Sequence, residues 1–229
     1  MHSPDDHYNP PAQTELPVVY VDDAMLVLNK PAGLLTVPGR GEAKQDCLSK
    51  RAQDAYPEAL IVHRLDRDTS GCLLLARNPK ALKRFSAAFE ARQAAKRYLG
   101  VVAGSVAQDE GTIELALSKI SSAADGWRMI AAKAGKPAVT HWRKIAEVNG
   151  LTLVEFRPET GRTHQIRVHA LKGLGAALVG DPIYGDGTGA KRTLLHAVEL
   201  TVQREGKPPV HAVAPMPQDF IDLGFTPDV

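Results

Sequence analysis

The 229-residue sequence lacks most of the features that announce a special environment. Cysteine is nearly absent. Cys47 and Cys72 match no zinc or redox spacing, so no disulfide framework is implied and free thiols in a reducing compartment are expected. No apolar run approaches the roughly 20 residues of a bilayer-spanning helix. Met1 to Pro17 is polar and proline-rich, with Asp5 and Asp6, unlike a signal peptide. A soluble, cytoplasmic protein is expected. Neither sign of charge dominates, because 28 Lys plus Arg face 26 Asp plus Glu, and a net charge of +2 is too small to announce a nucleic-acid partner by itself. Phosphate-cradling glycine motifs between a strand and a helix are missing. His164 and His169 are spaced so that a helix does not bring both imidazoles to one ion. No metal and no cofactor is expected.

Chemistry concentrates in one stretch. From Leu60 to Arg77 two apolar runs enclose the loop His63-Arg64-Leu65-Asp66-Arg67-Asp68-Thr69-Ser70-Gly71. Such runs, bounded by turn residues, predict buried strands. Gly71 closes the loop, and Thr69 and Ser70 can bond the local backbone, which makes a rigid mount for a catalytic group. A solvated hairpin turn is the plainer alternative. A glycosidase-like use of Asp66 and Asp68 is another, although carboxylates on one tight loop are awkwardly placed to flank a scissile bond about 5–9.5 Å apart.

The rest of the chain supplies a scaffold. Residues 1–15 are expected to form a disordered, mobile tail. Val18 to Val21 and Met25 to Leu28 predict a hairpin across Asp22-Asp23, followed by a folded-back loop rich in Pro and Gly and a short helix over 46–56. Asn78 and Pro79 start a helix predicted to run to about Ala95, with Leu82, Phe85 and Phe89 facing a core. Its basic residues, including Lys80, Lys83, Arg84 and Arg92, fit either a solvated face or a nucleic-acid contact. Strands are predicted at 97–102, 112–117, 127–132, 138–147 and 151–157, and another from Thr193. Between them a helix is expected, capped by Thr163 and ended at Gly173, with His164, Arg167 and Leu171 on one face and His169 turned away. Many strands with few helices argue for a mostly antiparallel α+β fold rather than a doubly wound one.

Five segments, in order, resemble the RluA family of pseudouridine synthases. They are Asn29 to Leu34, His63 to Gly71, Gly161 to His169, Gly180-Asp181-Pro182-Ile183-Tyr184-Gly185, and Leu195-His196-Ala197. Tyr8 to Pro11 and Val37 to Arg40 are similar to a subgroup that acts on both rRNA and tRNA. The resemblance implies the pseudouridine synthase catalytic fold, a bent, mostly antiparallel mixed sheet flanked by helices with a central active-site cleft. A single catalytic domain is expected over 16–229, and in a departure from many relatives the N-terminal RNA-binding domain they often carry is not expected before the first strand, so that target choice would rest with the catalytic domain. The implied activity is isomerisation of uridine to pseudouridine in 23S rRNA, the tRNA anticodon stem-loop, or both, by a monomer. Asp66 is then the essential aspartate, Tyr98 the active-site tyrosine and Arg167 the arginine that pairs with the aspartate. Arg64 would fill the gap left by a flipped base. His63, Lys83, Arg84, Arg92, Arg162 and His164 are expected to contact RNA. The chemistry breaks the bond from ribose C1′ to N1, turns the base and joins C1′ to C5, with the carboxylate acting as nucleophile or as proton acceptor.

Overall fold

A computed structural model of the protein describes residues 8–12, 15–122 and 126–227. The chain opens with β1 (Val18–Val21), β2 (Met25–Lys30), α1 (Leu48–Ala55), β3 (Leu60–Ile61), β4 (Ser70–Ala76) and α2 (Pro79–Glu90). It continues with β5 (Ala94–Ala103), β6 (Glu110–Glu114), β7 (Leu117–Ser122), β8 (Gly126–Ala131), β9 (Val139–Val148) and β10 (Leu151–Pro158). Last come α3 (Gln165–His169), β11 (Leu195–Arg204), β12 (Lys207–Val213) and α4 (Gln218–Ile221). These elements divide into two units, one of Tyr8–Lys96 with His196–Pro215, the other of Arg97–Leu195 with the segment from Met216 onward.

In the first unit β4 is the axis. Every residue of Ser70–Ala76 is buried, as in a strand covered on both faces. β2 pairs with it antiparallel along its length. The other edge is shared by β11, parallel at Ser70 and Gly71, and by β3, antiparallel at Leu75 and Ala76. Asp22 builds the β1–β2 turn by accepting the Ala24 and Met25 amides at 2.8 and 2.9 Å. Asn78 caps α2 as its sequence predicts, accepting the Ala81 amide at 2.8 Å. Ala81, Leu82, Phe85 and Phe89 of α2 pack against Met25, Val27 and Leu74.

Two expectations are corrected here. α2 ends at Glu90 rather than near Ala95, because Arg92 adopts φ 59 and the amides of Arg92 and Gln93 turn back to the carbonyls of Phe89 and Ala88. That is a Schellman cap closed by an arginine where glycine is usual. The second concerns the tail. Tyr8 Oη donates to the Asp46 carbonyl at 2.9 Å and accepts the Leu35 amide at 3.1 Å, while Arg51 donates to the Pro11 carbonyl at 2.9 Å. The Tyr8 hydroxyl and the Pro11 carbonyl thus hold a segment that its composition alone reads as disordered. Residues 1–7, 13 and 14 of the expected tail lie outside the described residues.

In the second unit β5, β10, β9 and β6 pair antiparallel in that order, and β7 with β8 forms a separate hairpin. Tyr98, Val102, Val154 and Phe156 point to one face, where they meet Ile166 and Ala170. The helix after Gly161 departs from expectation. His164, not Thr163, precedes α3, in the left-handed region at φ 52, and a π-helical turn over Ala170–Leu174 follows only five helical residues. No side chain caps α3; the Gln165 side chain instead holds the turn before it, its amide oxygen accepting the Arg162 amide at 3.0 Å and the Thr160 hydroxyl at 2.7 Å. His169 is buried, bonded to Thr140 Oγ1 at 2.9 Å and the Leu115 carbonyl at 3.1 Å. Antiparallel pairing predominates, and the parallel β4–β11 pair makes the fold mixed, as the α+β reading requires.

Candidate active site

The Asp66 loop is fastened from below by one lysine. Lys30 is fully buried, and its ammonium donates to the carbonyls of Pro31, Leu34 and Arg67 at 2.8, 2.7 and 2.8 Å. Three donors thus meet three acceptors, tying the Pro31 to Leu34 turn to the loop that carries Asp66. Thr36 adds a second tie, its hydroxyl donating to the Leu65 carbonyl at 2.9 Å and accepting the Leu65 amide at 3.3 Å. The Thr69 amide returns to the Asp66 carbonyl at 3.2 Å. Beyond it, Ser70 Oγ and His196 Nδ1 are 2.9 Å apart, both buried. Asp68 is engaged by its neighbour, with Arg67 reaching its two oxygens at 3.0 and 3.3 Å.

The flanking residues of this loop do different jobs. His63 Nε2 accepts the Leu74 amide at 3.0 Å, on the β4 edge between β11 and β3, and its ring stacks on Phe89 with centroids 4.4 Å apart. An acceptor nitrogen is unprotonated, so the ring is neutral with its proton on Nδ1. Burial, with the nearby positive charge of Lys96, pushes the His63 pKa down from 6.5 to about 3. His63 is therefore a scaffold residue in this geometry. Arg64 is exposed, and its side chain makes no hydrogen bond or ion pair among the described residues. Lys83, Arg84 and Arg92 are exposed on α2 and just beyond it. Lys96, beside them, is held down to about 8 by burial and by the charge of Arg92.

In the second unit the arginine expected to pair with Asp66 has a carboxylate of its own. Arg167 Nε and one terminal nitrogen each reach an Asp181 oxygen at 2.7 Å, with the two side chains 8% and 0% exposed. Asp181 also accepts the Ile183 and Tyr184 amides at 2.9 and 3.1 Å. Burial pushes the Asp181 carboxyl up, but its bonds to Arg167 and to those amides outweigh burial and hold the pKa below the ordinary aspartate value. Arg167 also lies 5.0 Å from the Tyr184 ring centroid. Tyr184 Oη is 2.9 Å from His164 Nδ1 and accepts the Met129 amide at 3.0 Å, and Trp127 stacks on His164 at 5.0 Å. His164 thus fixes the β7–β8 hairpin. Arg162 donates to the Pro137 carbonyl at 3.2 Å. Tyr98, opposite Phe156 in the register, is half-buried against the cluster of Ile166 and Ala170.

Lys30 and Asp181 are the residues that single-residue reasoning passed over. Both stand inside the motifs read from the sequence, but their partners are scattered along the chain. No group of His, Cys, Asp or Glu fit for a metal ion occurs among the described residues.

The strand-rich α+β scaffold is shared with a solved pseudouridylate synthase domain, and the RNA pseudouridylate synthase family model matches residues 24–172. The chain belongs to that family and, within it, to the RluA branch. It is 48% identical over 212 residues to an uncharacterized RNA pseudouridine synthase of Zymomonas mobilis, covering 91% of this chain and 97% of the relative. It is 37% identical over 206 residues to the dual-specificity RNA pseudouridine synthase RluA of Escherichia coli K12, covering 86% and 91%. The solved structure of human RNA pseudouridylate synthase domain containing 1 superposes with a TM-score of 0.75 at 28% identity, over 90% of this chain and 86% of that one.

Proposed function

We propose that this enzyme isomerises uridine in both ribosomal RNA and a tRNA anticodon stem-loop, with Asp66 as its essential carboxylate and Tyr98 and Arg167 as the other catalytic groups. The observation that carries the reading is the immobilisation of the Asp66 loop by Lys30 and Thr36, because a preset carboxylate loses little entropy on reaching its transition state. Arg64 is suited to fill the stack behind a flipped uridine, since its exposed guanidinium makes no ion pair among the described residues and is available to stack and to contact phosphate. Tyr98 supplies a flat face for the uracil and a hydroxyl for proton traffic. Arg167 offers a permanent charge whose direction is set by Asp181. The two-carboxylate hydrolase reading loses ground because Asp68 is tied to Arg67. A monomeric cytoplasmic enzyme completes the proposal.

The test is tritium release from RNA labelled at uridine C5, using a 23S rRNA fragment and a tRNA anticodon stem-loop as separate substrates. Release from both is expected. Asp66→Asn, which keeps the shape but neither attacks nor accepts a proton, is expected to lower the rate at least about 10³-fold, more than about 4 kcal/mol of barrier, with RNA affinity retained. Free uracil instead of released tritium would mean a hydrolase, and a variant within about tenfold of the parent would remove Asp66 from the chemistry.

A further inference from the structure

On the sheet face opposite Tyr98 and Phe156, three arginines converge on one buried glutamate. Glu155, whose side chain is 4% exposed, accepts Arg157 Nε at 2.8 Å and an Arg97 terminal nitrogen at 3.2 Å, and lies 3.5 Å from a terminal nitrogen of Arg143. The Arg143 and Arg157 side chains are 55% and 59% exposed. With Glu110, His141 and Trp142 they line an open cavity of about 260 Å³ together with Glu155.

One arginine fork satisfies a carboxylate, and the chain uses that pattern elsewhere. Arg51 with Asp46, Arg167 with Asp181, and Arg192 with Asp219 each place two nitrogens on two oxygens. At Glu155 the arrangement is different. Arg143 and Arg157 each commit a single nitrogen, so both keep N–H donors at the cavity they line. His141, which also lines the cavity, is engaged by Glu159 at 2.7 Å and Thr112 at 2.9 Å. Planar donors kept at an open cavity suit an oxyanion that offers two oxygens. A phosphodiester of an RNA backbone is such a group.

We propose that this cavity binds a phosphodiester of the substrate RNA outside the target loop, a backbone contact on the face away from Tyr98. The inference rests on the RNA substrate and adds a second point of attachment to it. Binding is measured by titrating the full-length Arg143→Gln/Arg157→Gln variant at several KCl concentrations. The probes are a minimal stem-loop and the same loop with extended flanks. For the extended RNA we expect affinity to fall about tenfold and the log–log salt slope to flatten by about 0.7–0.9 for each lost phosphate contact. The minimal loop should bind as before, and the single-turnover rate at saturating RNA should be unchanged for both. Glu110→Gln should tighten binding of the extended RNA about two- to threefold, a gain that misfolding does not mimic. An unchanged salt slope in the double variant overturns the proposal, as does equal weakening on both RNAs. Failure of the enzymatic reading is seen separately, as absence of tritium release from the unaltered enzyme.

Discussion

Asp181 is the residue whose work is most at odds with its inconspicuous place in the sequence. A buried arginine pairs with any carboxylate at hand, and the one that takes two of its nitrogens here is fixed by the Ile183 and Tyr184 amides. The bidentate geometry sets the plane of the Arg167 guanidinium and so the direction of its remaining donors. Asp181→Asn should therefore lower the single-turnover rate about 100-fold while leaving RNA affinity within about threefold, because misplacement by an ångström is enough for such a loss. Asp181→Glu should fall in between. Equal losses of rate and affinity would point to a general collapse of the site, and a rate within about twofold of the parent would release Asp181 from this role. At this scale the Asp66 loop stood out as a candidate because it is dense with charged and polar residues over a few consecutive positions. Lys30 and Asp181 did not, since a lysine bonded to three carbonyls and an aspartate fourteen residues beyond its arginine leave no local signature.

Among the elements, β4 shows how a single glycine permits the site. Gly71 adopts φ +106, and a Cβ built there would lie 2.2 Å from the Ala197 carbonyl oxygen and 2.8 Å from the Ala197 amide nitrogen. Backbone, not a flexible side chain, fills the space. β11 approaches the start of β4 in parallel register at this point, with Ala197 opposite Gly71. Gly71→Ala should cost at least about 3 kcal/mol of stability, from an unfavourable φ together with overpacking against a fixed strand. A urea midpoint close to that of the parent would show that β11 can retreat. Most strands and the start of α2 were legible, from short apolar runs bounded by turn residues and from Asn78-Pro79, whereas β7 and β12, whose residues are largely exposed, were not. The end of α2 was not, because Arg92 occupies the left-handed cap position that usually announces itself as glycine. The same holds for His164 at φ 52, where the helix signal at Thr163 pointed to the wrong cap.

For the molecule as a whole, the fold class followed from the abundance of strands, whereas the division of the chain into two units did not. The second visit of the chain to the first unit, through His196–Pro215, depends on the parallel pairing of β11 with β4, and nothing near either segment encodes a partner so distant. A prediction about the response to acid belongs at this scale, because it concerns global stability. Folded His63 titrates near 3 against 6.5 for the free side chain, and burial moves His169 in the same direction. The folded-state pKa of each is depressed, so below about 6.5 the unfolded chain takes up protons that the folded chain refuses. Their contribution to stability is present above that pH and is lost as pH falls, with a slope of up to about 1.4 kcal/mol per pH unit for each group. Asp181 acts later and with the same sign, its lowered pKa withdrawing stability only as pH falls below the usual aspartate range. Urea denaturation at pH 7 and pH 5 should show a loss of about 1–2 kcal/mol attributable to His63. His63→Gln, whose amide oxygen can still accept the Leu74 N–H, should remove that part of the loss while leaving the rest. If the variant keeps the full pH dependence of the parent, the imidazole titrates freely in the folded state, and the neutral ring bonded to β4 is the wrong description of how the Asp66 loop is held.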